Sequence, residues 1–294
     1  MGRTLSNNVK FFTIGMLALA LGVLTGCGSR PNALKPPIKH HHQRDPKRRR
    51  DNPQYRPKTY VPKPTSLLVS GTDYPKIMVM AMSSVKGLVA TSAEAPTMIP
   101  WPATHSTTLY YQPSVQGLGS DIPGLIDRYQ VTLSSPPNPV ASFSSAVFSD
   151  PATAGANIES LLFAKRLSVP LAGSRVALSA GVDATVGAEG KMDILGWNQG
   201  GWLVVVAAPN RLPLSVANQV AVYMQTHLMP RPEPRNAGQA LVLVNVRSNG
   251  PYTNVAWQEG RWVYSTSTYP TTAAPVTTAL ELASAMRDYF EPLK

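Results

Sequence analysis

The sequence predicts an α+β fold: an antiparallel sheet with helices packed on one face, assembled from recurring β-hairpin–α units of about 60 residues. Three observations point there. Trp197-Asn198-Gln199-Gly200-Gly201-Trp202 runs into Leu203-Val204-Val205-Val206, and sixty residues on, Trp257-Gln258-Glu259-Gly260-Arg261-Trp262 runs into Val263-Tyr264. Each reads as strand, tight turn, strand, because glycine beside polar residues between β-forming stretches is hairpin chemistry. Each is followed by apolar residues at helical spacing: Val216, Val220, Tyr223, Met224 and Leu228 in 215–228, then Ala279, Leu282, Ala283, Met286 and Phe290 in 276–290. An offset of 62 pairs Val220 with Leu282, Ala221 with Ala283, Met224 with Met286 and Leu228 with Phe290.

A third unit precedes these. Tyr129–Leu133 and Ser142–Phe148 read as strands joined by a proline-rich turn over Ser135–Pro139. Asp150-Pro151 then opens a helix to about Lys165, with aspartate as cap and proline at the first helical position. Upstream, the alternation in Lys76–Met82 predicts a buried strand, Thr107–Tyr111 another, and Pro96, Pro100 and Pro102 around Trp101 an irregular loop. The folded part is expected over residues 64–294, with a sub-boundary near 168.

The amino-terminal end reads as an address. Arg3 and Lys10 precede an apolar run from Phe11 to Leu24. That run falls short of the roughly 20 residues a membrane-spanning helix needs, so residues 1–26 read as an export signal. It ends in Leu24-Thr25-Gly26-Cys27, which resembles the lipobox of bacterial lipoproteins. The resemblance implies cleavage before Cys27, diacylglycerol on its thiol, and residence on the outer face of the cell membrane. Cys27 is the only cysteine, so no disulfide within the chain competes for it.

Residues 27–63 are expected to be a disordered tether, rich in proline and poor in apolar residues. Residues 28–63 hold eleven Lys/Arg against Asp45 and Asp51, whereas residues 64–294 hold fourteen of each sign. The net charge of +11 therefore belongs to the tether and the signal, and gives no reason to expect a nucleic acid partner. Lys47, Arg48, Arg49 and Arg50 would attract anionic lipid headgroups or wall polymers. Only about 12% of residues 64–294 are charged, against a usual ~25%. Few carboxylates means little repulsion when they titrate, so an acidic external medium is a natural setting.

The paired W-x-x-G-x-W motifs, with Leu228-Met229-Pro230-x-Pro232, resemble a group of uncharacterised lipoproteins of Firmicutes over roughly residues 65–290. This implies an envelope location and supplies no activity, cofactor or functional residue.

Few residues carry chemistry. Met78-Val79-Met80-Ala81-Met82, read as a strand, sets three thioethers on one face, which would suit Cu(I) carriage, although methionine is also a core filler. His40, His41 and His42 lie in the tether, where no selective metal site is preorganised. His227 reads as a helix-end residue. Ser83-Ser84-Val85-Lys86 fits S-x-x-K but lacks the partner motifs of that chemistry. Asp183, Glu189 and Asp193, and Asp121 with Asp127, are the acids available for a carboxylate-pair hydrolase. Trp197, Trp202, Trp257 and Trp262 read as core, with an aromatic ligand surface as the alternative. The favoured expectation is a non-enzymatic envelope binding or structural module needing no cofactor; hydrolase and copper carrier are the alternatives.

Overall fold

In chain order the elements are β1 (Lys58–Tyr60), α1 (Lys76–Val85), β2 (Glu94–Pro96), β3 (Leu109–Gly117), β4 (Leu125–Ser135), β5 (Asn138–Phe148), α2 (Pro151–Ala164), β6 (Arg175–Ala177), β7 (Asp183–Glu189), β8 (Met192–Gln199), β9 (Trp202–Pro209), α3 (Leu214–Thr226), β10 (Ala240–Arg247), β11 (Gly250–Glu259), β12 (Trp262–Thr268), α4 (Pro275–Ser284) and β13 (Met286–Asp288). This computed structural model describes residues 58–60, 73–86, 88–89, 93–104, 108–117, 120–164, 167–170, 172–233 and 239–289. The described residues fall within one compact unit. β1 falls inside the stretch expected as tether and pairs with β3 at the sheet edge.

Eleven strands make one sheet in the order β1-β3-β4-β5-β12-β11-β10-β9-β8-β7-β6, antiparallel except where β9 meets β10. That parallel pair needs a crossover, which α3 supplies. Its strands are buried on both faces, so Leu203–Ala207 and Leu241–Val244 are continuously apolar. The two tryptophan motifs form the hairpins expected. Gln199 opposes Trp202 across Gly200-Gly201, both at positive φ, the signature of a type I′ turn. Glu259 opposes Trp262 across Gly260-Arg261, with positive φ at Gly260.

The sheet has two unlike faces. On the first, α1, α3 and α4 cover a large core that includes Tyr129, Phe143, Val204, Val242, Trp257 and Tyr264. On the second, α2 covers a smaller core of Ala146, Phe148, Ala256 and Val263, into which it sets Ala154 and Ile158. The helices are therefore not on one face, as the sequence suggested. The bulky residues under α4 fill the first face, while the small residues of α2 let it approach the alanine-lined end of the second. Asp150 caps α2 through the Thr153 N–H (2.8 Å), and Gln258 Nε2 on β11 donates to Pro151 O (2.7 Å). A β-hairpin followed by a helix occurs in the element order, but one-face packing of repeated units is absent.

Two further expectations are corrected. Lys76–Met82 is helix rather than strand, because Ile77, Met78, Ala81, Met82 and Val85 are buried at helical spacing. Met and Ala also favour helix, and the Ser83 and Ser84 hydroxyls donate to the Val79 and Met80 carbonyls one turn back (2.8 and 3.0 Å). The last helix stops at Ser284, and Met286–Asp288 turn out to pair with Glu94–Pro96 of β2 as a separate two-stranded sheet. Of the residues paired by the offset of 62, Val220, Ala221, Leu282 and Ala283 are buried on α3 and α4, whereas Met286 is strand and Leu228 is exposed.

Trp202 joins the hairpins, its ring 6.2 Å from that of Trp257, which in turn lies 5.5 Å from Tyr264. Trp202→Ala should cost about 3–5 kcal/mol in denaturant unfolding, the usual range for a fully buried tryptophan. A loss near zero would show that the two hairpins are not packed through this ring.

Candidate functional site

The residues marked by the sequence mostly do not meet. Leu24, Thr25, Gly26, Cys27, His40, His41, His42, Lys47, Arg48, Arg49, Arg50 and His105 lie outside the described residues. Trp197, Trp202 and Trp257 are buried, at 4, 2 and 1% exposure, so they offer no aromatic ligand surface; Trp262 is half-buried. Their N–H groups are satisfied inside, by Gln199 Oε1 (3.1 Å), Pro230 O (3.3 Å) and Glu259 Oε1 (3.0 Å) respectively. Met78 and Met82 are buried in the core on α1 and Met80 is half-buried on its other side, so the three thioethers share no face. Asp183 and Glu189 stand at opposite ends of β7, and Glu189 accepts from Ser168 N–H (2.9 Å). Asp193 lies on β8 opposite Ala188. Asp121 is exposed, and buried Asp127 accepts from the Arg128 N–H (2.8 Å). His227 ends α3, its ring stacked 4.1 Å from Tyr223. Among the described residues no group of three or more His, Cys, Asp or Glu could hold a metal ion. No described helix is long and apolar enough to cross a membrane.

Two other places concentrate polar groups. The first is a groove on the second sheet face, beside the C-terminal half of α2. Even-numbered residues of β4, β5 and β11 and odd-numbered residues of β12 point here. They are Arg128, Gln130, Ser142, Tyr252, Asn254, Ser265 and Ser267, with Leu161 of α2 and Leu243 as an apolar wall. The cavity is about 260 Å³. A neighbouring cavity of about 470 Å³, with Asn138, Arg247 and Asn249, shares Tyr252 and Tyr269 with it. These two rings meet edge to face at 5.5 Å.

The floor is wired together: Ser144 and Ser265 share a hydrogen bond (2.8 Å), Asn254 Nδ2 donates to Ser267 Oγ (2.7 Å), and Tyr252 Oη donates to the same oxygen (3.3 Å). Asn254 Oδ1 is buried with no hydrogen-bond partner. Arg128 Nη2 donates to Gln130 Oε1 (3.2 Å), and burial lowers the guanidinium's pKa.

The second place is an acidic cleft of about 450 Å³ on the first face, where Glu94, Trp257, Glu259, Tyr264 and Asp288 converge. Three elements build it. Tyr129 on β4 holds β2, accepting from the Glu94 N–H (2.8 Å) and donating to the Glu94 carbonyl. Tyr74 Oη donates to the Asp288 and Arg287 carbonyls (2.7 and 3.0 Å), holding β13. Glu259 is oriented by Trp257.

Burial pushes the Glu94 carboxyl up to about 7, the Glu259 charge adds to this, and a hydrogen bond from Tyr264 opposes it. Burial also raises Glu259, again opposed by its bonded tryptophan. Arg287, the cation among the groups acting on Glu94, spends Nη1 on the Ser284 and Met286 carbonyls (2.7 and 2.6 Å). The cleft therefore holds a carboxyl that keeps its proton up to about 7 beside a second, Glu259, that burial also raises.

No family model, curated protein or solved structure matches this chain. Its chemistry must therefore be read from these two places. Neither was visible in the sequence, because each gathers single residues from four or more separate elements. The one local signal for the groove is Ser142-Phe143-Ser144 and Ser265-Thr266-Ser267, serines alternating on the same face of interior strands.

The acidic cleft fixes a pH dependence. Glu94 binds its proton more tightly folded (about 7) than at its ordinary 4.5, so the stability it contributes is full below about 4.5 and is lost as pH rises through 7. The melting temperature should fall between pH 4.5 and 7.5, and Glu94→Gln should flatten that fall. An unchanged slope in the variant would locate the sensitivity elsewhere.

Proposed function

We propose that this protein is a membrane-anchored extracytoplasmic lipoprotein, held through Cys27, whose folded part binds or supports a component of the cell envelope without catalysing a reaction. The groove carries this reading. A sheet face lined by half-bonded Ser, Asn, Gln, Arg and Tyr side chains, with a buried carbonyl oxygen left unpaired, is built to exchange hydrogen bonds with a polar ligand. The lipobox-like Leu24–Cys27 and the basic stretch Lys47–Arg50 support the location, the second by attracting anionic headgroups or wall polymers. Likeness to the Firmicutes lipoproteins and derivation from repeated hairpin–helix units belong to the same proposal. The two glycine-turn hairpins, each followed by a helix, support it.

A hydrolase is the second reading, and its acids are now Glu94 and Glu259. Two neighbouring carboxyls, Glu94 raised to about 7 and Glu259 raised by burial as well, are the candidate pair for paired-carboxylate hydrolysis. The same raised pKa and the sparse charge favour an acidic setting. Copper carriage lost its geometric basis when Met78, Met80 and Met82 proved helical.

Replacing Cys27 by Ser should let the protein be extracted from its own cells without detergent. The extracted chain should still co-sediment when added back to isolated envelope. Extraction that still requires detergent, or failure to sediment with any envelope fraction, would overturn the proposal.

A further inference from the structure

We propose that the groove on the second sheet face is a binding site for an acidic polysaccharide, a polyhydroxylated chain bearing carboxylate or phosphate groups, with Arg128 as the seat of the anion. This rests on the reading of the groove as the ligand site and names the ligand's class.

The charge of the groove comes first. Residues 64–294 carry equal numbers of basic and acidic side chains, yet the two joined cavities are lined by Arg128 and Arg247 and, among the described residues, by no carboxylate. Arg128 is half-buried and its guanidinium meets a neutral amide oxygen. A cation withdrawn from water is costly unless an anion or a full set of acceptors compensates it. One neutral acceptor leaves most of its five donors for a ligand, and the planar fork suits the two oxygens of a carboxylate or phosphate.

Hydroxyl recognition comes second. Asn254 presents a buried amide oxygen that nothing among the described residues pairs. Turning the amide over would merely exchange an unpaired acceptor for an unpaired donor, since Ser267 Oγ can play either part. A ligand hydroxyl can answer both. Ser265, paired with buried Ser144 beneath it, keeps a further lone pair for the same space.

Shape comes third. Leu161 and Leu243 offer an apolar wall for the C–H face of a sugar ring, and Tyr252 and Tyr269 stand where the two cavities join. A chain lying along the groove would pass from Arg128 over these rings to exposed Arg247. A neutral glycan would leave Arg128 uncompensated, and a simple anion would leave Asn254 unmet. A ligand with both features satisfies both residues.

The basic tether also attracts anions, so its densest cluster, four of its eleven basic residues, is neutralised first. Full-length protein with Cys27→Ser and Lys47, Arg48, Arg49 and Arg50 changed to Gln is titrated calorimetrically with three probes: a hexuronate oligosaccharide, its carboxyl-reduced neutral counterpart, and a polyol-phosphate oligomer. At least one anionic probe should bind at least about tenfold more tightly than the neutral one. Arg128→Gln should remove that advantage, and Arg128→Lys should restore only part of it, for want of the fork. Asn254→Asp, placing a like charge in the groove, should abolish anionic binding; melting curves would confirm that each variant is folded. Equal affinity for neutral and anionic probes, anionic binding untouched by Arg128→Gln, or no binding of any probe would each overturn the assignment. Co-sedimentation of the same protein with whole envelope separates those outcomes from failure of the envelope-binding reading itself.

Discussion

The fold depends on one constraint: a single sheet of eleven strands must have both faces dealt with, and among the described residues only four short helices are available to cover them. Three go to one face and complete its core. One goes to the other, and covers only the end where Ala146, Phe148, Ala256 and Val263 lie. Wherever the second face lacks a lid it must be polar, so Gln130, Ser144, Asn254 and Ser265 occupy positions that a sandwiched strand would fill with valine. Register enforces this division, because a slip of one residue along β5 or β12 would drive Phe143 and Tyr264 onto the groove and bury serines under α4.

The same geometry separates the two polar regions. The serine-lined groove opens on the α2 face, and the acidic cleft on the opposite face, where Glu259 follows Trp257 by two residues along β11. The cleft is coupled to the core through Trp257, whose N–H orients Glu259 and whose ring contacts Trp202 and Tyr264. Protonation there acts on the packing of the hairpins and on the β2–β13 clasp. The groove instead has a floor fixed by cross-strand hydrogen bonds. The pH-sensitive carboxyl and the proposed recognition surface thus lie on different faces of one sheet.

How far the sequence revealed this follows the range of each interaction. The hairpins at Trp197–Trp202 and Trp257–Trp262 were legible because two-residue glycine turns and flanking strands are local. So was α2, where Asp150 and Pro151 mark the start, and α3 within two residues of its ends. α1 was misread because methionine at every second position imitates a strand, while the stripe through Ile77, Ala81 and Val85 is longer than the window that alternation occupies. The strand after α4 was hidden because Met286 continues the helical spacing and is diverted only by its partner Pro96, far away in sequence. The functional regions were the least legible of all. Glu94 meets Glu259, and Arg128 shares a groove with Asn254, through contacts that exist only once the sheet has assembled.

The account turns on whether the uncovered part of the second face is where the envelope component is held. Side-chain NMR resonances of Gln130, Asn254 and Arg128, followed as solubilised envelope polymer is added to the Cys27→Ser chain, address this directly. The account predicts that these three shift together and saturably while the resonances around Glu94, Glu259 and Trp257 stay in place. Movement confined to the acidic cleft, with the groove silent, would contradict it and turn attention to the paired carboxylates.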